Sequence, residues 1–105
     1  MAPGEIERLL AVALQPSEVA VVGIPSAYWG EVILAAVENP STGWEERIDT
    51  VMPTITDYKR PRLRIALEEL PRNGTGKILR SAIRDLVLTR FRLTEGARPR
   101  LEPRE

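Results

Sequence analysis

The segment PRNGTGKI at residues 71–78 places a lysine, Lys77, directly after a glycine-rich turn, where its ammonium could bind or neutralise an anion. A phosphate-binding P-loop requires Gly, four further residues, and then Gly-Lys followed by Ser or Thr. Pro71 stands at the first of these positions and Ile78 follows the lysine, so the P-loop motif is excluded. Taken alone, the Asn-Gly pair of this segment predicts a tight turn in which Lys77 is solvated.

The composition excludes several kinds of site. The 105 residues include no cysteine and no histidine, which excludes disulfides, thiol nucleophiles, histidine bases and zinc sites built on those ligands. We therefore expect no metal to be bound by this chain. No apolar run approaches the roughly 18 residues of a membrane span. No basic region precedes an apolar stretch near the first residue, so we expect a cytoplasmic protein without membrane association.

The charges are distributed unevenly along the chain. Residues 1–57 carry two basic and nine acidic groups, whereas residues 58–105 carry thirteen basic and six acidic groups. A basic half of this kind predicts an anionic partner, such as a phosphate-bearing ligand or nucleic acid. The alternative is that the two halves pair with each other and expose a mixed surface.

The apolar pattern predicts one small domain. In order, the predicted elements are a helix from Pro3, strands at 19–24 and 31–38, a helix over 44–55 interrupted at Pro53, a strand at 62–67 and a helix over 80–93. This order favours an α+β fold with a three-stranded central sheet plus a short hairpin, and helices packed against the sheet. Residues 94–105 mix charges with prolines and predict a flexible, extended tail.

Four segments follow one another along the chain: PGEIE at 3–7, VAVVGIP at 19–25 with WGE at 29–31, YKRP at 58–61, and EELPRNGTGKILR at 68–80. In order and approximate spacing they resemble the C-terminal domain of the adenylate-forming enzymes. That superfamily contains acyl- and aryl-CoA synthetases, peptide-synthetase adenylation domains and luciferases. The segments are similar to the start of the domain's first helix, its first strand and following loop, the aromatic-Lys-x-Pro before its third strand, and its closing motif.

The resemblance implies a two-step reaction in which a carboxylic acid is first joined to AMP and the acyl group then passes to a thiol. Lys77 matches the catalytic lysine, which would bridge the substrate carboxylate and the phosphate or ribose oxygens, while Gly74 and Gly76 would let the loop approach the nucleotide. Tyr58 would stack on the adenine of CoA and Arg60 would bind a CoA phosphate. Alternatively, Tyr58 is core packing and Arg60 is a surface charge. The implied substrates are ATP, as Mg-ATP, and coenzyme A.

The same resemblance assigns residues 1–93 to the mobile C-terminal lid domain of an AMP-forming acyl-CoA synthetase. Its partner would be a large N-terminal domain that holds the ATP and the carboxylic acid, and the acyl acceptor would be CoA or the phosphopantetheine of a carrier protein. Without the large domain we expect no activity. Three alternatives stay open: a stand-alone lid acting in trans, an interaction domain in which Lys77 is dispensable, and a basic nucleic-acid-binding module. No RNA-binding signature supports the last alternative.

Overall fold

The computed structural model describes residues 3–104, apart from the side chains of Pro3 and Tyr58. The helices and strands are α1 (Pro3–Leu14), β1 (Val19–Ser26), β2 (Gly30–Glu38), α2 (Trp44–Val51), β3 (Leu63–Leu67), α3 (Arg80–Arg90), β4 (Phe91–Thr94) and β5 (Arg100–Pro103). Two short 3₁₀ helices, Met52–Thr54 and Asp57–Lys59, lie between α2 and β3. The predicted α+β fold is therefore confirmed.

The central sheet has three strands in the order β1-β2-β3, with β2 in the middle. β1 runs antiparallel to β2, with Val22 opposite Leu34, and β3 runs parallel to β2, with Ile65 opposite Ala36. The apolar run of β2 has few polar interruptions because both of its faces are covered, and Leu34, Ala35, Ala36 and Val37 are fully buried. β4 and β5 form a separate antiparallel hairpin.

Two hydrophobic cores lie on opposite faces of this sheet. On one face, α1 and α2 pack through Ile6, Leu10 and Ile48, together with Leu14 and Ile55. On the other face, α3 packs through Ile83 and Val87, and the β4–β5 hairpin adds Phe91, Leu93 and Leu101. The sheet is thereby covered on both sides, and its two ends remain as the places from which loops emerge.

The outer edge of β1 is covered by side chains of the helices. The backbone N–H of Val21 donates to Glu7 Oε2 at 2.9 Å, and Arg80 donates to the same carboxylate through Nε at 3.0 Å. Arg84 Nε donates to the carbonyl oxygen of Gly23 at 2.8 Å. Unpaired strand edges invite association with other chains, and these contacts satisfy two of the groups on this edge. They also tie the start of α3, three residues after Lys77, to α1 and β1.

The C-terminal region differs from the sequence expectation. α3 ends at Arg90 rather than at residue 93, and the chain continues as the β4–β5 hairpin where an extended tail was expected from residue 94. The strands were not predicted because the alternation of apolar and polar residues in each is too short to indicate a strand. In the structure, Phe91, Leu93 and Leu101 pack against the core that α3 covers. The mobility of residues 94–105 and a domain boundary at residue 93 stay predictions.

Candidate functional site

Residues 71–79, here called the lysine loop, form a closed turn between β3 and α3. The backbones of Arg72 and Ile78 pair as an isolated antiparallel bridge, and Leu79 N–H donates to the carbonyl oxygen of Pro71 at 2.9 Å. Inside this pair, Asn73 N–H donates to the carbonyl oxygen of Lys77 at 2.9 Å. The tight turn predicted from the Asn-Gly pair is confirmed, and backbone hydrogen bonds within the loop hold it in place.

The side chain of Asn73 organises the tip of the lysine loop. Its Oδ1 accepts three hydrogen bonds, from the backbone N–H of Thr75 at 3.0 Å, from Thr75 Oγ1 at 2.7 Å and from the backbone N–H of Lys77 at 3.0 Å. Gly76 has φ of 87°, a conformation that strongly favours glycine. Asn73 is a site residue that the motif did not single out, although Asn before Gly signals this kind of side-chain-to-backbone bonding.

Lys77 is exposed, and its backbone is fixed through both its N–H and its carbonyl group. Its ammonium makes no hydrogen bond or ion pair with any residue that the structure describes. A Cβ built on Gly74 or on Gly76 would meet no atom of this chain within 4 Å. The loop therefore fixes the backbone of a lysine whose ammonium is unengaged by the described residues, next to two glycines with open space at their α-carbons.

Arg72 anchors the base of the lysine loop to the sheet. Its Nη1 donates to Glu38 Oε1 at 2.8 Å and to the carbonyl oxygen of Leu70 at 3.2 Å, while its Nη2 pairs with Glu18. The hydrogen bonds from Arg72, and next that from the Leu70 amide, hold the pKa of Glu38 below its ordinary value of 4.5. The hydrogen bond to Glu38 in turn raises the pKa of Arg72. This ion pair ties the base of the lysine loop to the end of β2.

Glu38→Gln is expected to lower the thermal midpoint by about 5 °C near neutral pH, because an ionised partner of Arg72 is lost. The lowered folded-state pKa means that this stabilisation is complete above 4.5 and is lost as the pH falls through the folded value. Thermal midpoints measured at several pH values should show the difference between wild type and variant shrinking in acid. Glu68→Gln, at an exposed position near the same loop, is the control and should leave the thermal midpoint almost unchanged. An equal fall of the midpoint in this control would contradict the stabilising role of the Glu38–Arg72 pair.

Residues 57–62, here called the arginine segment, lie before β3. Arg60 donates through Nε to the carbonyl oxygen of Ile55 at 2.9 Å and pairs with Asp57 at 3.3 Å. Arg62 pairs with the other oxygen of Asp57 at 3.4 Å. Arg60 is therefore held by neighbouring groups of its own segment. The side chain of Tyr58, for which we predict stacking on adenine, lies outside the described part of the structure.

The lysine loop and the arginine segment lie at opposite ends of β3. The arginine segment meets the start of β2, since Arg62 N–H donates to the carbonyl oxygen of Ile33 at 3.0 Å. The lysine loop meets the other end of β2 through Glu38. β3 has five residues, which separates the two regions by about 15 Å. The structure thus brings Lys77, Gly74 and Gly76 together and places Arg60 elsewhere.

The two oppositely charged halves of the chain pair with each other. In each of the following pairs the acid precedes residue 58 and the base follows it: Arg60 and Arg62 with Asp57, Arg64 with Asp49, Arg72 with Glu18 and Glu38, and Arg80 with Glu7. The pairing alternative is confirmed for these groups. Much of the basic half is consequently engaged within the fold.

No helix within residues 3–104 is long and apolar enough to cross a membrane. The same residues contain no group of three or more His, Cys, Asp or Glu side chains arranged to hold a metal ion.

The chain is similar to known proteins over most of its length. Residues 5–77 match the family model described as AMP-binding enzyme C-terminal domain. The 4-chlorobenzoate–CoA ligase of Pseudomonas sp. (strain CBS-3) is 37% identical over 82 residues, which cover 74% of this chain and 16% of that enzyme. The long-chain-fatty-acid–CoA ligase FadD13 of Mycobacterium tuberculosis (strain ATCC 25618 / H37Rv) is 35% identical over 85 residues, which cover 79% of this chain and 17% of that ligase.

A solved structure is similar to the chain in both fold and sequence. A Mycobacterium tuberculosis fatty acyl CoA synthetase superposes with a TM-score of 0.69 and 33% identity, covering 80% of this chain and 17% of its own. The chain therefore spans about a sixth of the length of the curated relatives that it matches. The family match ends at Lys77, so α3 and the β4–β5 hairpin lie beyond it.

Proposed function

The chain belongs to the AMP-binding enzyme C-terminal domain family, with acyl- and aryl-CoA ligases among its relatives, and on this premise we propose that it is the mobile C-terminal domain of an ATP-dependent, AMP-forming acyl- or aryl-CoA ligase. It supplies Lys77 for acyl-adenylate formation and part of the CoA site for thioester formation. The observation that carries this proposal is the lysine loop, which fixes the backbone of Lys77 and leaves its ammonium unengaged by the described residues.

In the first half-reaction a carboxylate oxygen of the acid attacks the α-phosphorus of ATP, and the bond to pyrophosphate breaks. Two anions must approach each other, and negative charge is redistributed on the phosphoryl oxygens during the displacement. A fixed ammonium in a site closed to water stabilises that charge without having to reorganise. Gly74 and Gly76 support this role because they leave open space where a side chain would keep the nucleotide away.

In the second half-reaction the CoA thiol attacks the acyl carbonyl carbon and AMP leaves. The arginine segment would meet the nucleotide of CoA, with Arg60 on a phosphate and Tyr58 on the adenine. Because the lysine loop and the arginine segment lie at opposite ends of β3, the two half-reactions would use different parts of the domain surface. The geometry therefore supports a domain that turns between the two half-reactions.

The partners follow from this assignment. A large N-terminal domain binds Mg-ATP and the carboxylic acid, and the acyl acceptor is CoA rather than a carrier-protein phosphopantetheine, as the names of the relatives favour. We place the reaction in the cytoplasm. On this account the 105-residue chain alone forms no acyl-AMP, since the nucleotide and acyl pockets belong to the other domain.

The experiment joins this chain to the large domain of the Pseudomonas 4-chlorobenzoate–CoA ligase from which the native C-terminal domain has been removed. We expect the fusion to form acyl-CoA with release of AMP, whereas the large domain alone and the chain alone do not. Mixing the two polypeptides without a linker tests whether the chain also acts in trans. Acyl-AMP formation by the purified chain alone, or a fusion no more active than the large domain, would refute the proposed function.

A further inference from the structure

The turn of the β4–β5 hairpin contacts the turn between β1 and β2. The Glu95 carboxylate accepts hydrogen bonds from Ser26 Oγ at 2.6 Å and from the backbone N–H groups of Ala27 at 2.9 Å and Tyr28 at 3.3 Å. The Ser26 hydroxyl, and next the Ala27 amide, hold the pKa of Glu95 below its ordinary value of 4.5. The carboxylate is therefore ionised near neutral pH and can accept all three bonds.

Trp29 extends this contact toward β3. Its indole Nε1–H donates to the carbonyl oxygen of Gly96 at 2.8 Å, and its backbone N–H donates to Ser26 Oγ at 2.9 Å. The guanidinium of Arg62 lies over the Trp29 ring, with 4.4 Å between its central carbon and the ring centroid. A cation over an aromatic face is attracted by the ring electrons, so the position of Trp29 biases that of Arg62.

Arg62 continues the chain of contacts to Arg60. It donates through Nη1 to the carbonyl oxygens of Asp57 at 3.1 Å and of Arg60 at 3.4 Å, and through Nη2 to Asp57 Oδ2 at 3.4 Å. The other oxygen of the same Asp57 carboxylate accepts from Arg60 Nη1 at 3.3 Å. An unbroken series of contacts thus runs from the hairpin turn through Trp29 and Arg62 to Arg60.

We propose that the β4–β5 hairpin is a clasp that positions Arg60 for the thioester-forming step, with Glu95 as its positioning residue. The proposal rests on the proposed function, since it takes the arginine segment as the part that meets CoA. The hairpin lies beyond the family match, which ends at residue 77, so the clasp is an element that the family assignment does not include. Its apolar side packs on the core of α3, which gives the clasp a rigid base.

The first measurement requires no activity and uses the ¹⁵N-labelled 105-residue chain. Glu95→Gln preserves the shape of the side chain but removes its charge and turns one acceptor into a donor that faces N–H groups. We expect hydrogen exchange at the Trp29 indole N–H to accelerate about tenfold and that at Arg60 Nε–H about threefold. The amide of Lys77 should be unchanged. Glu102→Gln is the matched control, because the side chain of this glutamate in the same hairpin makes, among the described residues, only ion pairs of 3.9 Å, with Arg92 and Arg100.

The proposal is overturned if exchange at Arg60 is unchanged in Glu95→Gln, or if the control changes it equally. The second measurement uses the fusion enzyme, in which Glu95→Gln should raise the KM for CoA about threefold to tenfold without slowing acyl-AMP formation. If Arg60→Ala raises this KM and Glu95→Gln does not, the clasp is refuted while the proposed function stands. An unchanged KM in Arg60→Ala refutes the CoA contact itself, and with it any role of the clasp in that step.

Discussion

Lys77→Ala in the fusion enzyme is expected to slow acyl-adenylate formation by about 10²–10³, the usual loss when one charge-stabilising contact to a transition state is removed. The ammonium is needed only while the carboxylate attacks the α-phosphate. Thioester formation from supplied acyl-AMP should therefore be much less affected. Pyrophosphate exchange measures the first half-reaction and acyl-CoA formation from synthetic acyl-AMP measures the second.

The variant should leave the lysine loop intact, since the contacts of Lys77 with the described residues come from its backbone. Arg47→Ala is the matched control, because it removes an exposed positive charge on α2 instead of one in the lysine loop. If Lys77→Ala formed acyl-AMP at the wild-type rate, the lysine would be dispensable and the alternative of a pure interaction domain would be correct.

Arg60→Ala is expected to raise the KM for CoA by about tenfold to a hundredfold, because a charge-assisted hydrogen bond to a phosphate is lost. The rate of acyl-AMP formation should not change, since the lysine loop is anchored at the other end of β3. Steady-state kinetics with CoA as the varied substrate measure the first effect. Arg64→Ala is the control, because Arg64 pairs with Asp49 at 3.0 Å and has no assigned ligand.

A different acceptor would give a different result in the same variant. If the KM for CoA were unchanged in Arg60→Ala while a phosphopantetheinyl carrier protein was acylated more slowly, the acceptor would be the carrier protein. Loss of acyl-AMP formation in Arg60→Ala would contradict the assignment of the two regions to separate half-reactions.

The central sheet was predictable from the sequence because its strands are apolar runs bounded by turn residues. A short hairpin was expected in this fold, but its place at residues 91–103 was not, because β4 shows only two apolar residues and β5 only Leu101, and the core residues that they pack against lie far away in sequence. Glu95, for example, bonds to Ser26 at a separation of 69 residues. Contacts of this kind depend on the packed fold, and no local sequence pattern predicts them.

The candidate site was predictable in part. The turn at Asn73-Gly74 follows from local chemistry, whereas the role of Lys77 came from the resemblance of four segments, since a lysine after a turn is by itself an ordinary surface residue. The anchoring of the loop by Arg72 and Glu38 could not be predicted, because the two residues belong to different elements that only the sheet brings together.

The most direct test of the account compares both half-reactions side by side in Lys77→Ala and Arg60→Ala of the fusion enzyme. We predict that the alanine at residue 77 slows only acyl-AMP formation and that the alanine at residue 60 weakens only the use of CoA. Two variants that impair the same half-reaction to a similar extent would contradict the account, since the two ends of β3 would then not serve separate steps.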